Sequence, residues 1–278
     1  MGIDFLSPVI EASKREMREG DYVDEAGFVC CGKCHTRRQR KLTHVAAGQI
    51  VWMMCRCETE AWEREQAEQR ERDRREQIQR LRSVGFPDRE MARCTFARDD
   101  GANPELTKLC RNYAEQFDRF KREGKGLLLF GGVGAGKTFM ACCVANRLID
   151  RGHSCLVTNF TRIANALNGL RGDKQAYLDD LARYKLLVID DLAVERDTAY
   201  MSEMVQTVID ARVRQGLPMI VTTNLSAEAL KNPADVRSQR VCSRLIGACF
   251  PYEVKGPDRR KESLKKHFAD LKAALLEQ

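Results

Sequence analysis

The chain has 278 residues, 43% hydrophobic and 31% charged, with a formal net charge of +7, which describes a soluble globular protein of one or two domains and is compatible with a polyanionic partner. Met1 to Ile10 lacks the basic start and apolar core of a signal peptide, and no apolar run approaches the ~20 residues of a spanning helix. Neither the membrane nor the secreted class is indicated, and cytoplasmic residence is the default expectation.

In chain order, Ser13 to Glu19 predicts a short helix stopped by Gly20-Asp21. Of twelve cysteines, five lie between Cys30 and Cys57 and the rest are scattered singly, a division that fits a reducing compartment and a metal site better than a disulfide framework. Cys31 and Cys34 form a C-x-x-C knuckle, and Cys55-Arg56-Cys57 supplies a second close pair. Two such pairs can complete a tetrahedral zinc site, with Cys31, Cys34, Cys55 and Cys57 as the preferred ligands. Cys30 and His44 are alternatives for one sulfur. From Glu58 to Arg82 the chain is almost wholly charged or amide-bearing, with opposite charges at helical spacing. That pattern predicts a solvated helix of roughly 37 Å serving as a linker between modules.

After Gly85-Phe86-Pro87, Pro104 to Arg122 reads as one helix with Leu106, Leu109, Tyr113, Phe117 and Phe120 on one side. These positions would roof a nucleotide base or pack in the core. The apolar run Leu127 to Phe130 then breaks into Gly131-Gly132-Val133-Gly134-Ala135-Gly136-Lys137-Thr138, a G-x-x-x-x-G-K-[ST] phosphate loop between a strand and a helix. Its backbone N–H groups and the following helix N-terminus would face phosphate oxygens. Lys137 would supply charge to the β- and γ-phosphates, and the Thr138 hydroxyl would reach a Mg²⁺ ion.

Cys155 lies in a further short strand over Ser154 to Thr158, followed by a helix over Phe160 to Leu170. Leu186 to Ile189 then ends in Asp190-Asp191, an apolar strand of the kind covered on both faces of a parallel sheet, with acids at its ligand-binding edge. Asp190 would hold Mg²⁺ and Asp191 would orient or deprotonate the attacking water. Met219 to Thr223 is another apolar strand whose tip carries Asn224. That amide would either bond the water or γ-phosphate, the sensor I role in AAA+ ATPases, or cap the segment beginning at Ser226.

Taken together, Gly131–Thr138, Leu186–Asp191, Val221–Leu225 and Arg240-Val241-Cys242-Ser243-Arg244-Leu245 resemble the DnaC/DnaI-type replicative helicase loaders, over roughly residues 84–262. The IstB transposition ATPases are close relatives. An early cysteine module followed by a linker is similar to loaders of the DnaI sort, and IstB-like chains generally lack it.

The resemblance implies an α/β P-loop AAA+ core with a parallel sheet flanked by helices. It also implies ATP, Mg²⁺ and Zn²⁺ as cofactors, with a DnaB-type helicase, single-stranded DNA and further copies of the chain as partners. Arg244 would be an arginine finger acting on a neighbouring subunit, supported by Arg240. Arg260, with Arg259 as runner-up, would be the sensor II contact, and Thr198 and Tyr200 would touch DNA. Asp191 stands where many AAA+ proteins have Glu, so slow hydrolysis is expected. Little chain follows the core for a helical lid, as in these loaders. The expected domains are 1–57, zinc-binding and helicase-docking; 58–84, a charged linker; and 85–278, the ATPase. The rival functions are a transposition helper and a nucleotide-switched adaptor without turnover.

Overall fold

The structure is a computed structural model that describes residues 16–42, 50–169, 174–192, 199–233 and 235–259, together with 261, 268, 275 and 276. The chain forms two compact units, Met1–Arg75 and Glu76–Gln278.

The first unit contains two small antiparallel ribbons, β1 (Tyr22–Val23) with β2 (Val29–Cys30) and β3 (Gln39–Lys41) with β4 (Ile50–Trp52). Asp24 Oδ1 shapes the first turn by accepting from the N–H groups of Ala26 and Phe28, each at 3.0 Å. Strands this short bury little apolar surface, and polar groups fill the gap. Arg38 is 1% exposed, and its guanidinium donates to Asp21 at 2.5 Å and to Glu58 at 2.8 Å. The helix expected to reach Glu19 is not formed over its described residues: Asp21 accepts from the Arg18 N–H at 3.1 Å while its own N–H bonds the Arg18 carbonyl at 3.0 Å. This local turn competes with a helix for the same backbone groups.

Helix α1 (Arg56–Gly85) carries the chain from the first unit into the second. Its exposed face has ion pairs such as Glu71–Arg75 at 2.8 Å, each contributing about 0.3–0.5 kcal/mol. Gly85 ends it in close contact with the Cys155 carbonyl, which an added Cβ would meet at 2.6 Å.

The second unit begins with α2 (Arg89–Ala92), capped by Asp88, and a 3₁₀ turn over Phe96–Arg98. The single helix expected over Pro104–Arg122 is two, α3 (Pro104–Glu115) and α4 (Phe117–Arg122). Gln116 leaves helical geometry between them, with φ −96 and ψ 17, and the fully buried Phe117 follows the break.

Five parallel strands form the central sheet: β5 (Gly126–Phe130), β6 (Cys155–Asn159), β7 (Leu186–Asp190), β8 (Met219–Thr223) and β9 (Cys249–Glu253). Their order is β6-β7-β8-β5-β9. The connecting helices are α5 (Lys137–Asp150), α6 (Phe160–Gly169), α7 (Lys174–Ala182), α8 (Ala199–Arg214), α9 (Ala227–Lys231) and α10 (Val236–Ala248).

Side chains alternate along each strand, so one apolar run serves two cores. Leu128, Ile189 and Val221 join Ile163, Ile209 and Leu245 in one cluster. Leu127, Leu129 and Val188 join Leu106, Phe117 and Met140 in the other. Leu106, Tyr113 and Phe117 are therefore core residues of the second cluster, Leu109 and Phe120 pack against it partly buried, and none of the five lines the phosphate-loop cavity. Arg212 is 1% exposed and clamps three backbone carbonyls, of Leu181 in the last turn of α7 at 3.2 Å, Tyr184 at 2.8 Å and Pro218 at 2.6 Å. Burial lowers its pKa to about 10.

Candidate functional site

Strands β7, β8 and β5 are consecutive neighbours in the sheet, so their carboxyl ends meet at one edge, where open α/β sheets bind ligands. β5 leads into the Gly131–Gly136 loop and α5, β7 ends at Asp190-Asp191, and β8 ends at Thr222-Thr223-Asn224. A 360 Å³ cavity over this edge is lined by Gly134, Gly136, Lys137, Thr138, Asp190, Asp191, Thr222 and Asn224, with Val133, Phe139, Arg98, Asp100 and Arg259. Gly131, Gly132 and Ala135 complete the loop without lining the cavity, Gly131 and Gly132 offering carbonyls to Lys137.

Two hydrogen-bonded chains run across it. Lys137 Nζ donates to the carbonyls of Gly131 at 2.9 Å and Gly132 at 2.6 Å, and to Asn224 Oδ1 at 2.8 Å. The same amide donates from Nδ2 to Asp191 Oδ1 at 2.8 Å. In the second chain, Asp190 Oδ1 accepts from the hydroxyls of Thr138 at 2.7 Å and Thr222 at 2.6 Å. Thr222 Oγ1 in turn accepts from the Asp191 N–H at 2.9 Å. Asp191 has φ +53, an uncommon conformation for a residue with a side chain, in which its N–H is held by Thr222 and its carboxylate by Asn224. Asn224 does not cap the next helix, because Ser226 does so by accepting from the Ala229 N–H at 3.1 Å.

The chain beyond β9 closes over the loop. The Arg259 N–H donates to the Gly134 carbonyl at 3.2 Å, and its guanidinium lies 3.4 Å from where a Cβ would stand at Gly136. Arg259 also pairs with Asp100 at 3.0 Å, and Asn103 Nδ2 donates to the Lys255 carbonyl at 3.1 Å. The arginine brought to the cavity is thus Arg259; Arg260 lies outside the described residues. Sequence reasoning missed Arg98, Asp100 and Thr222. Only the Thr-Thr-Asn run at a strand tip pointed toward any of them.

Arg244 stands apart from this cavity. It lies on α10 beside a depression formed with Gln206, Val236, Gln239, Arg240 and Ser243, and its Nε is 2.7 Å from Asp210 Oδ1. Thr198 lies outside the described residues, as does the side chain of Tyr200, whose backbone is in the first turn of α8.

In the first unit, the ligand atoms of Cys31, Cys34, Cys55 and Cys57 all lie within 4.8 Å of one another. The Cys31–Cys57 and Cys55–Cys57 sulfur separations are 3.7 and 3.3 Å. Four thiolates at Zn–S of about 2.3 Å would stand about 3.8 Å apart, so this donor set fits a tetrahedral zinc ion. The Thr36 hydroxyl lowers the Cys34 pKa to about 5 and backbone N–H groups of Cys34 and Lys33 lower that of Cys31, whereas burial raises that of Cys55 and the pKa of Cys57 is raised as well, so deprotonating all four would draw on the charge of the ion itself. Cys30 faces Asp24 and the Phe28 carbonyl, each 3.8 Å from its sulfur, and burial raises its pKa. His44 lies outside the described residues.

A family model described as "IstB-like ATP binding protein" matches residues 61–266, which spans both hydrogen-bonded chains of the cavity. The chain belongs to this IstB-like family. A curated relative of this family member is the replicative helicase loader DnaI of Bacillus subtilis (strain 168), 24% identical over 205 residues, or 69% of this chain and 66% of that protein. The replicative helicase loader DnaC of Escherichia coli (strain K12) is 28% identical over 151 residues, or 52% of this chain and 58% of that protein. The IstB-like chain therefore spans just under two thirds of the length of these curated relatives, or less. Among solved structures it resembles a crystal structure of DnaI, with a TM-score of 0.52, 25% identity, and coverage of 65% of this chain and 99% of that one. The resemblance to the helicase loaders and the parallel α/β AAA+ core expected from the sequence are both borne out.

Proposed function

We propose that this chain is an ATP-dependent loader of a replicative DnaB-type helicase onto single-stranded DNA. The observation that carries this reading is the four-thiol unit, which precedes the family match beginning at residue 61. A separate metal-bound module gives the protein a docking head for its helicase, while residues 85–278 work as the ATPase and the charged helix links them. Zinc would supply the folding energy that two short ribbons lack.

In the ATPase, the loop N–H groups and Lys137 hold the β- and γ-phosphates, and Arg98 and Arg259 add two further cations to the cavity. Thr138 and Asp190 hold Mg²⁺, which when bound neutralises phosphate charge. Asp191, steadied by Asn224, orients the attacking water and accepts its proton. Arg244, outside its own chain's cavity, reaches the γ-phosphate of a neighbouring copy, so hydrolysis depends on assembly. Thr198 and Tyr200 contact the DNA strand.

Co-purification of the full chain with a DnaB-type helicase, with and without ATP, tests the reading, and turnover that rises with single-stranded DNA supports it. Lys137→Ala is expected to lose nucleotide binding, and normal hydrolysis by that variant would overturn the ATP site. The family description favours a second reading, a transposition helper. Capture of a transposase with no helicase binding in either state would establish it, whereas nucleotide binding without any turnover would leave a switched adaptor.

A further inference from the structure

Beside the finger arginine stands an acid that the proposed reaction does not use. Asp210 is on α8 and Arg244 on α10, two helices whose seam is packed by Val205, Val208, Ile209, Val241 and Leu245. Asp210 follows Ile209 and Arg244 precedes Leu245, so both flank the seam rather than fill it. Asp210 Oδ1 is buried and makes no well-directed hydrogen bond among the described residues. Its one cationic partner there is Arg244, Nε to Oδ1 at 2.7 Å.

The Asp210 side chain is 20% exposed and that of Arg244 is 47% exposed. Contact through Nε leaves the two terminal nitrogens of the guanidinium without a partner among the described residues. The ion pair tethers the guanidinium by its Nε, and the rest of its planar fork has the geometry suited to a phosphate. The surface around it is polar, with Arg240, Gln239 and Ser243 beside the same depression.

We infer that Asp210 is a positioning residue: its carboxylate anchors Arg244 at Nε and aims the terminal nitrogens at the phosphate of a neighbouring copy. The inference rests on the finger role proposed for Arg244 and adds a residue to it.

The test is a double-mutant cycle on the full chain, reading kcat and KM for ATP at a protein concentration that supports assembly, with nucleotide affinity measured separately. Asp210→Asn keeps the side-chain volume and removes the charge, so it guards against loss of folding in Asp210→Ala. Each is expected to lower kcat about tenfold, since small misplacements of a reacting group have effects of this order or larger. KM and nucleotide affinity should stay unchanged, Asp210→Glu should recover most of the loss, and neither change should lower kcat further in an Arg244→Ala background. Equal losses in the two backgrounds, or no loss at all, would overturn the positioning role while leaving the finger intact. Normal turnover by Arg244→Ala would instead remove the finger assignment, and the positioning role would fall with it.

Discussion

Asn224 and Lys137 are joined across the cavity by a 2.8 Å hydrogen bond, so the tip of β8 is tied to the cation of the phosphate loop. The same amide holds Asp191 at 2.8 Å. One side chain thus spaces the cation proposed to bind phosphate from the carboxylate proposed to orient water. Asn224→Ala should bind nucleotide within a fewfold of the native chain yet lose about 10²-fold in turnover, the order found when one preorganised polar group is removed. Phosphate release alongside equilibrium nucleotide binding separates the two effects.

Gly134 faces Asp258 so closely that an added Cβ would lie 1.9 Å from its carboxylate oxygen, and its φ is +76. Gly134→Ala should therefore push the Asp258-Arg259 segment off the loop and strain the backbone, destabilising the second unit by about 1–3 kcal/mol. Thermal unfolding gives the stability change. A nucleotide titration should show affinity falling at least tenfold, and unchanged affinity would mean that the segment has no part in the site.

Metal removal should act on one unit alone. Purified chain is expected to hold one zinc per molecule by elemental analysis, and Cys31→Ser or Cys55→Ser should lose it. A strong chelator should abolish amide protection over residues 22–41. Protection of β5, β7 and β8 should persist, because their two apolar clusters contain none of the four ligands.

Acid should weaken the same small unit for a separate reason. Burial alone would raise the pKa values of Asp21 and Glu58, but it is outweighed at Asp21 by the Arg18 amide and Arg38, and at Glu58 by the Cys55 amide and Arg38. Both carboxyls are therefore held below their ordinary values of 3.8 and 4.5. Groups lowered in this way stabilise the folded state fully above those values and cease to do so as pH falls through the folded ones. Protection in the first unit should decline below about pH 4.5. Arg38→Met should weaken that dependence and destabilise the unit by about 1.5–3 kcal/mol, because Asp21 loses its guanidinium partner while Glu58 keeps Arg18 at 2.8 Å.

Most of the cavity was legible because its chemistry is written in contiguous residues: a glycine-rich loop ending in Lys137-Thr138, and apolar runs ending in Asp190-Asp191 and Asn224. Strand limits followed closely for the same reason, since a buried parallel strand is a short unbroken apolar run. The resemblance offered Arg259 as runner-up to Arg260, but its pairing with Asp100 was not legible. Those residues are 159 positions apart, and either charge alone looks like any solvated one. Arg212 was hidden likewise, because its partners are three carbonyls that any sequence provides. Gln116 breaks a helix that periodicity supports throughout, and the residue that follows the break, Phe117, is fully buried.

Helix α10 passes directly into β9, Ala248 being followed by Cys249 with no loop between them, and Cys249 is in register with Gly126, the first residue of the strand that carries the phosphate loop. The helix that carries Arg244, the proposed finger, is thus joined to its own chain's phosphate loop through a single strand pair. In a head-to-tail assembly of the proposed kind, tension on Arg244 from one copy's nucleotide would be felt at the next, so ATP consumption should propagate along the array with a Hill coefficient above one instead of firing independently at each site.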